Sequence, residues 1–143
     1  MPRFSSGEEI EEVLGGFFGR IAETPQAHLI HQVGGTIEFV YHRPEARLRW
    51  IPTPDGDLPF KVQAGEATEP PLLVFEQDGD TAHRFWLGRL NLQDALARQL
   101  VRARGPLSRA MRLIPNLDDL YPLYPVFLRS TGREDWIPPA GAR

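Results

Sequence analysis

The chain contains no cysteine and a single lysine, Lys61, among 143 residues. Lack of cysteine excludes disulfides, a thiolate nucleophile and any zinc–thiolate centre. Long apolar runs are missing too. "PPLLVFE" is about the longest, far short of the ~18 residues that a membrane span requires. The opening "MPRFSSGEEIEE" turns acidic where a signal peptide would carry its apolar segment, and the closing "PAGAR" is not a Ser-Lys-Leu peroxisomal address. A soluble cytoplasmic protein is expected. Neither a Gly-rich phosphate loop after a strand nor a Gly-x-Ser-x-Gly elbow occurs. Catalysis is not expected, and no cofactor is implied.

What is present is ordinary for a globular chain: 41% hydrophobic and 24% charged residues. The length suits one domain with a core that needs no covalent staples. Charge is unevenly spread. Residues 84–112 hold seven arginines against one acid, Asp94, in a chain of net charge −3. That local positive field suits an anionic headgroup or transient contact with a membrane surface. An acidic chain is a poor nucleic-acid binder, and Phe85 and Trp86 beside the arginines fall on the apolar side of a helix.

Hydrophobic periodicity divides the chain. Ser6 and Glu9 have the spacing of a capping box, and Ile10, Val13, Leu14, Phe17, Phe18 and Ile21 form a helical stripe. Gly15 and Gly16 weaken that helix but would let another backbone approach closely. "PQAHLIHQV" suggests a second short helix. Strict alternation then gives four strands. Ile37, Phe39 and Tyr41 oppose Glu38, Val40 and His42; Leu48 and Trp50 oppose Arg47, Arg49 and Ile51; "PFKVQA" and "LLVFE" follow. A helix over Ala82, Phe85, Trp86 and Leu90 is expected with Asp80 as its cap, and another begins at Asn91. "VRARG" reads as a fifth strand, with Val101 and Ala103 inward and Arg102 and Arg104 outward. Gly105-Pro106 opens a helix over Leu107, Ala110, Met111 and Ile114. A helical turn from Asn116 would place Asp118 and Asp119 near its N-terminus. Pro122 and Pro125 stop a long continuation, Tyr121 and Tyr124 are expected to cap the core, and "STGREDWIPPAGAR" reads as a loosely attached tail. The order predicts an α+β fold: a five-stranded, mostly antiparallel sheet covered on one face by helices.

The stretch "GRLNLQDALARQLVRARGPLSRAMRL" (88–113) resembles the signature of the sterol carrier protein 2 family. Gly88-Arg89-Leu90-Asn91 stands where that family has Gly-Lys-Leu-Asn, and Ala95-Leu96 stands for its Ala-Phe pair. Leu100 to Gly105 matches the short basic strand with its glycine, and "LSRAMRL" the following helix. Arg89, Leu92 and Gln99 replace the family's usual Lys, Pro and Gly.

The resemblance implies that these layers enclose an apolar cavity, and with it non-catalytic binding and intracellular transfer of a hydrophobic ligand in a tunnel between sheet and helices. The ligand would be a fatty acid, acyl-CoA, phospholipid, or sterol or other isoprenoid. Phe39, Tyr41, Trp50, Phe85, Trp86, Leu96, Met111 and Ile114 are the candidate walls, and Arg102, Arg104, Arg109 and Arg112 the candidate headgroup contacts. Residues 33–125 would form the lipid-binding domain, 1–32 a helical segment packed on it, and 126–143 a tail. Some bacterial relatives present a quinone precursor to a partner enzyme, so an accessory subunit or a scaffold with a filled cavity is the rival reading. His28 and His31 have metal-pair spacing but lack a third ligand, so no metal is expected. Asp118 and Asp119 are adjacent and point apart, which does not suit paired catalytic carboxylates.

Overall fold

A computed structural model describes residues 3–66 and 69–138. Helix α1 spans Gly7–Ala22. The Ser6 hydroxyl accepts from the Glu9 N–H at 3.1 Å, and the Glu9 carboxylate accepts from the Ser5 N–H at 2.8 Å. Both bonds satisfy donors that a helix start leaves open. The stripe from Ile10 to Ile21 is fully buried. Side chains, rather than a backbone, exploit its glycines. A Cβ at Gly16 would lie 2.8 Å from the tip of the Phe127 ring, and one at Gly15 3.5 Å from Leu48. A 3-10 turn at Pro25–His28 leads into α2, Leu29–Val33.

Strands β1 (Ile37–His42), β2 (Ala46–Pro52), β3 (Phe60–Ala64), β4 (Leu73–Asp78) and β5 (Val101–Arg104) form one sheet in the order β3-β2-β1-β4-β5. Neighbours are antiparallel except β1 and β4. Register lines up Leu48, Phe39, Phe75 and Ala103 across the sheet. The next row along holds Ala46, Tyr41, Gln77 and Val101. These rows face the helices and the core. The fold is α+β as the alternation predicts.

The other sheet face is ionic. Arg49, only 2% exposed, donates to Glu38 at 3.0 Å and to the carbonyls of Gly65 at 2.6 Å and Glu66 at 2.9 Å. Because β3 and β4 flank the β2–β1 pair, the connection between them must cross both strands. Arg49 holds its start.

Helices α3 (Gly79–Trp86), α4 (Leu92–Ala97), α5 (Leu107–Met111), α6 (Ile114–Leu120) and α7 (Leu123–Ser130) complete the fold, with a 3-10 turn at Glu134–Trp136. Asn91 caps α4 through the Asp94 N–H at 3.0 Å, as its spacing predicts. Asp80 does not cap α3. That helix starts after Asp78, and the Asp80 carboxylate accepts from the Arg3 N–H at 2.7 Å. Helix α6 starts at Ile114, so Asp118 and Asp119 sit toward its C-terminal end. Pro125 lies in the first turn of α7, where its missing N–H has no partner to lose.

Neither the tail boundary expected at 126 nor the loose attachment expected from Ser130 matches the described residues. α7 runs through that boundary, and Trp136 packs edge-on against Phe4 with ring centroids 5.5 Å apart. Pro139 and the residues after it lie outside the described residues. Among the described residues no helix is long and apolar enough to cross a membrane.

Candidate functional site

The inward rows of the sheet meet the helices over an apolar pocket. β1 and β2 supply Phe39 and Trp50, and β4 supplies Phe75 and Gln77. Val101 of β5, Leu29 of α2, Phe85 and Trp86 of α3 and Leu92 of α4 add to the wall. Leu113, Leu117 and Leu120 close it from the α6 side. No wall residue carries a titratable side chain. The polar side-chain groups among these wall residues are the Gln77 amide and the indole N–H groups of Trp50 and Trp86.

Aromatic packing nearly fills this space. Trp86 lies 5.2 Å from Phe17, 5.8 Å from Phe18 and 5.0 Å from Phe85, ring centre to ring centre. Trp50 stacks on Phe60 at 4.7 Å and meets Phe18 and Phe39. The cavity that remains is about 40 Å³, against roughly 300–1,000 Å³ for a typical ligand pocket. The ligand cavity that the family resemblance implies would need several times this space.

A surface groove adjoins the pocket. Gly88 to Asp94, with Ile114, Asp118 and Tyr121, line it, and Leu92 and Leu117 wall both spaces. These two leucines separate the apolar interior from a polar vestibule that contains Arg89, Asp94 and Asp118. Gly88 has φ 77°, and a Cβ there would meet the Tyr121 ring at 3.7 Å, so the chain turns tightly against α6 at the groove rim.

Of the candidate wall residues, Phe39, Trp50, Phe85 and Trp86 line the pocket. Ile114 lines the groove instead. Tyr41 shares the Gln77 row but stays outside the pocket wall, its hydroxyl buried and unpaired. Leu96 and Met111 are partly buried away from both spaces.

The headgroup arginines require correction. Arg102 and Arg104 alternate with Val101 and Ala103, so they project from the ionic sheet face, where Arg102 approaches Glu76 at 3.7 Å. They cannot meet a ligand between sheet and helices. Arg109 and Arg112 donate to the carbonyls of Val33 at 3.2 Å and Gln32 at 3.0 Å, tying α5 to the end of α2. Arg89, counted only as a signature position, is the arginine at the groove.

Gln77 is a wall residue that the sequence pattern also signals: "LLVFE" stops at Glu76, but one more step of alternation from Leu73 and Phe75 places Gln77 inward. Leu92 and Leu117 could have been found from their helix faces. His28 and His31 lie with ring centroids 5.5 Å apart and planes tilted by 34°, and among the described residues no three metal-ligating side chains gather.

Two polar clusters stand outside the pocket. His83 in α3 accepts at Nδ1 from the Tyr124 hydroxyl at 2.8 Å and donates from Nε2 to the Trp136 carbonyl at 3.0 Å. Burial holds its pKa below the usual histidine value and raises that of Tyr124. On the ionic face His42 reaches Glu76 at 2.5 Å and Glu45 at 2.9 Å. The bond to Glu76, then that to Glu45, raises the His42 pKa, and the same bond to His42 lowers that of Glu76.

No protein-family model and no curated protein matches the chain. Solved structures do. The sterol carrier protein domain 2 of Helicoverpa armigera matches with a TM-score of 0.60 at 22% identity, over 83% of this chain and 96% of that one. Apo Sterol Carrier Protein 2 of Yarrowia lipolytica matches at 0.56 and 13% identity, over 80% and 91%. UbiJ-SCP2, described as a ubiquinone synthesis protein, matches at 0.55 and 12% identity, over 80% and 94%. The chain has the sterol carrier protein 2 fold.

Proposed function

We propose that this protein binds a hydrophobic small molecule between its sheet and its helices and carries it without chemical change. The observation that supports this is an apolar pocket parted from a surface groove by only Leu92 and Leu117, in a fold shared with sterol carrier proteins. A wall without titratable side chains offers nothing to move a proton or attack a bond. Each methylene transferred into such a wall gains about 0.8 kcal/mol, so a chain of ten carbons has ample gross driving force. The ligand class is that of fatty acids, acyl-CoAs, phospholipids or isoprenoids.

Entry requires room, and the present cavity of about 40 Å³ has none for such a ligand. The elements that must yield are the short helices α4 and α6, which carry Leu92 and Leu117. Binding therefore proceeds by their displacement from the aromatic floor.

The filled interior favours a second reading. An accessory subunit could hold its core closed until a partner enzyme opens it, and the likeness to UbiJ-SCP2 points the same way. Its cargo would be a lipid or quinone precursor.

Native mass spectrometry of the freshly purified protein, followed by solvent extraction, tests both. A bound lipid that is lost in a folded Leu117→Trp variant is the expected result. An empty protein that also refuses fatty acids, sterols and quinones overturns the carrier reading and leaves the scaffold.

A further inference from the structure

One wall residue has no structural task. Gln77 is 6% exposed, and its Oε1 is buried without a hydrogen-bond partner. Phe75 and Val101 beside it cannot pair with an amide, and Tyr41, its partner in register on β1, makes no hydrogen bond to it and leaves its own buried hydroxyl unpaired. Trp50 lines the same pocket and also leaves its buried indole N–H unpaired. Leaving a buried amide or N–H unmatched is costly in a folded protein, whereas an apolar residue of the same shape would be free of that cost. Leucine or methionine would fill the Gln77 position and complete an all-apolar wall.

We propose that the Gln77 amide is the polar anchor of the pocket, and that the group it receives is a neutral hydroxyl rather than a carboxylate or phosphate. This rests on the carrier reading. Electrostatics select the hydroxyl. The pocket wall contains no cation, and the four arginines of the candidate headgroup site lie on the far sheet face or are tied to α2. An anion brought to Gln77 would be stripped of water with no counter-charge. A hydroxyl bears no such penalty. It satisfies the amide in either orientation, giving its proton to the oxygen or its lone pair to the NH₂ group. The Trp50 N–H is a second neutral donor for the same kind of ligand. The anchor lies on β4, a central strand, and is fixed in register beside Tyr41 and Val101. It therefore stays in place while α4 and α6 move.

The probes are 1-decanol, decanoate and decane, titrated at pH 8 into the full-length protein and into Gln77→Leu, with tryptophan fluorescence as the readout. The wild type is expected to bind decanol about tenfold more tightly than decanoate, and Gln77→Leu to lose about tenfold in decanol affinity while its decane affinity holds or improves. If Gln77→Leu does not fold, Gln77→Met gives the same comparison with an unbranched side chain. Equal decanol affinity in wild type and variant overturns the anchor alone, and Gln77 is then the partner of a resident water. Tighter binding of decanoate than of decanol also overturns it. A protein that binds none of the three overturns the carrier reading, and the anchor falls with it.

Discussion

The Tyr124 hydroxyl donates a 2.8 Å hydrogen bond to Nδ1 of His83, joining α7 to α3 inside the core. That bond needs a neutral imidazole, because Nε2 already donates to the Trp136 carbonyl. Burial keeps the folded-state pKa of His83 below 6.5. Its contribution to stability is therefore complete above pH 6.5 and is lost as pH falls through the lowered folded value. Tyr124→Phe should destabilise the protein by about 1–3 kcal/mol, since it leaves Nδ1 buried and unpaired. Urea unfolding of wild type and variant between pH 4 and 8 checks both statements.

His42 responds in the opposite direction. Its two ring nitrogens can donate to Glu76 and Glu45 together only when the ring is charged. The folded-state pKa is raised above 6.5, so the stabilisation is full below pH 6.5 and declines as pH rises through the raised value. Glu76, held below 4.5, limits it on the acid side. His42→Gln should therefore lower the melting temperature at pH 5.5 and change it far less at pH 9. A larger loss at pH 9 would contradict the charged triad.

Two positions in the signature region predict opposite backbone effects. Gly105 has φ 108°, and a Cβ there would sit 2.3 Å from the Leu72 carbonyl oxygen. Gly105→Ala should cost about 2–4 kcal/mol or prevent folding. Gln99 occupies the left-handed region at φ 58°, where the resembling family has glycine. Gln99→Gly should gain about 1 kcal/mol by releasing that strain, visible as a raised denaturant midpoint with an unchanged slope.

Trp86→Ala tests whether aromatic filling limits ligand size. Removing a ring held by Phe17, Phe18 and Phe85 should cost about 3–5 kcal/mol. If the variant stays folded, it should bind decane more tightly than the wild type does. Unchanged binding would place the ligand outside the sheet–helix interior.

The strands were legible because alternation is a local property, and each predicted inward set on β1 and β2 is buried. The same property should have excluded Arg102 and Arg104 from the pocket, since a residue next to an inward Val101 must face the other way. Their charge adjoins the pocket wall in sequence but lies across the sheet from it in space. The helix ends were harder. Pro115 and Pro125 both sit in first turns, where proline is harmless, so neither marks the stop that its presence suggests. Cavity size could not be read at all. It depends on how ten or more side chains share one volume, and no periodicity encodes that.

Trp136 has a further consequence for how order is shared along the chain. Its ring centre lies 5.5 Å from that of Phe4 and 5.9 Å from that of His83, and its carbonyl accepts from His83 Nε2. The segment before α1 and the segment after α7 therefore meet on one histidine. Fraying of either strips a neighbour from His83, so the two segments lose order together rather than one at a time.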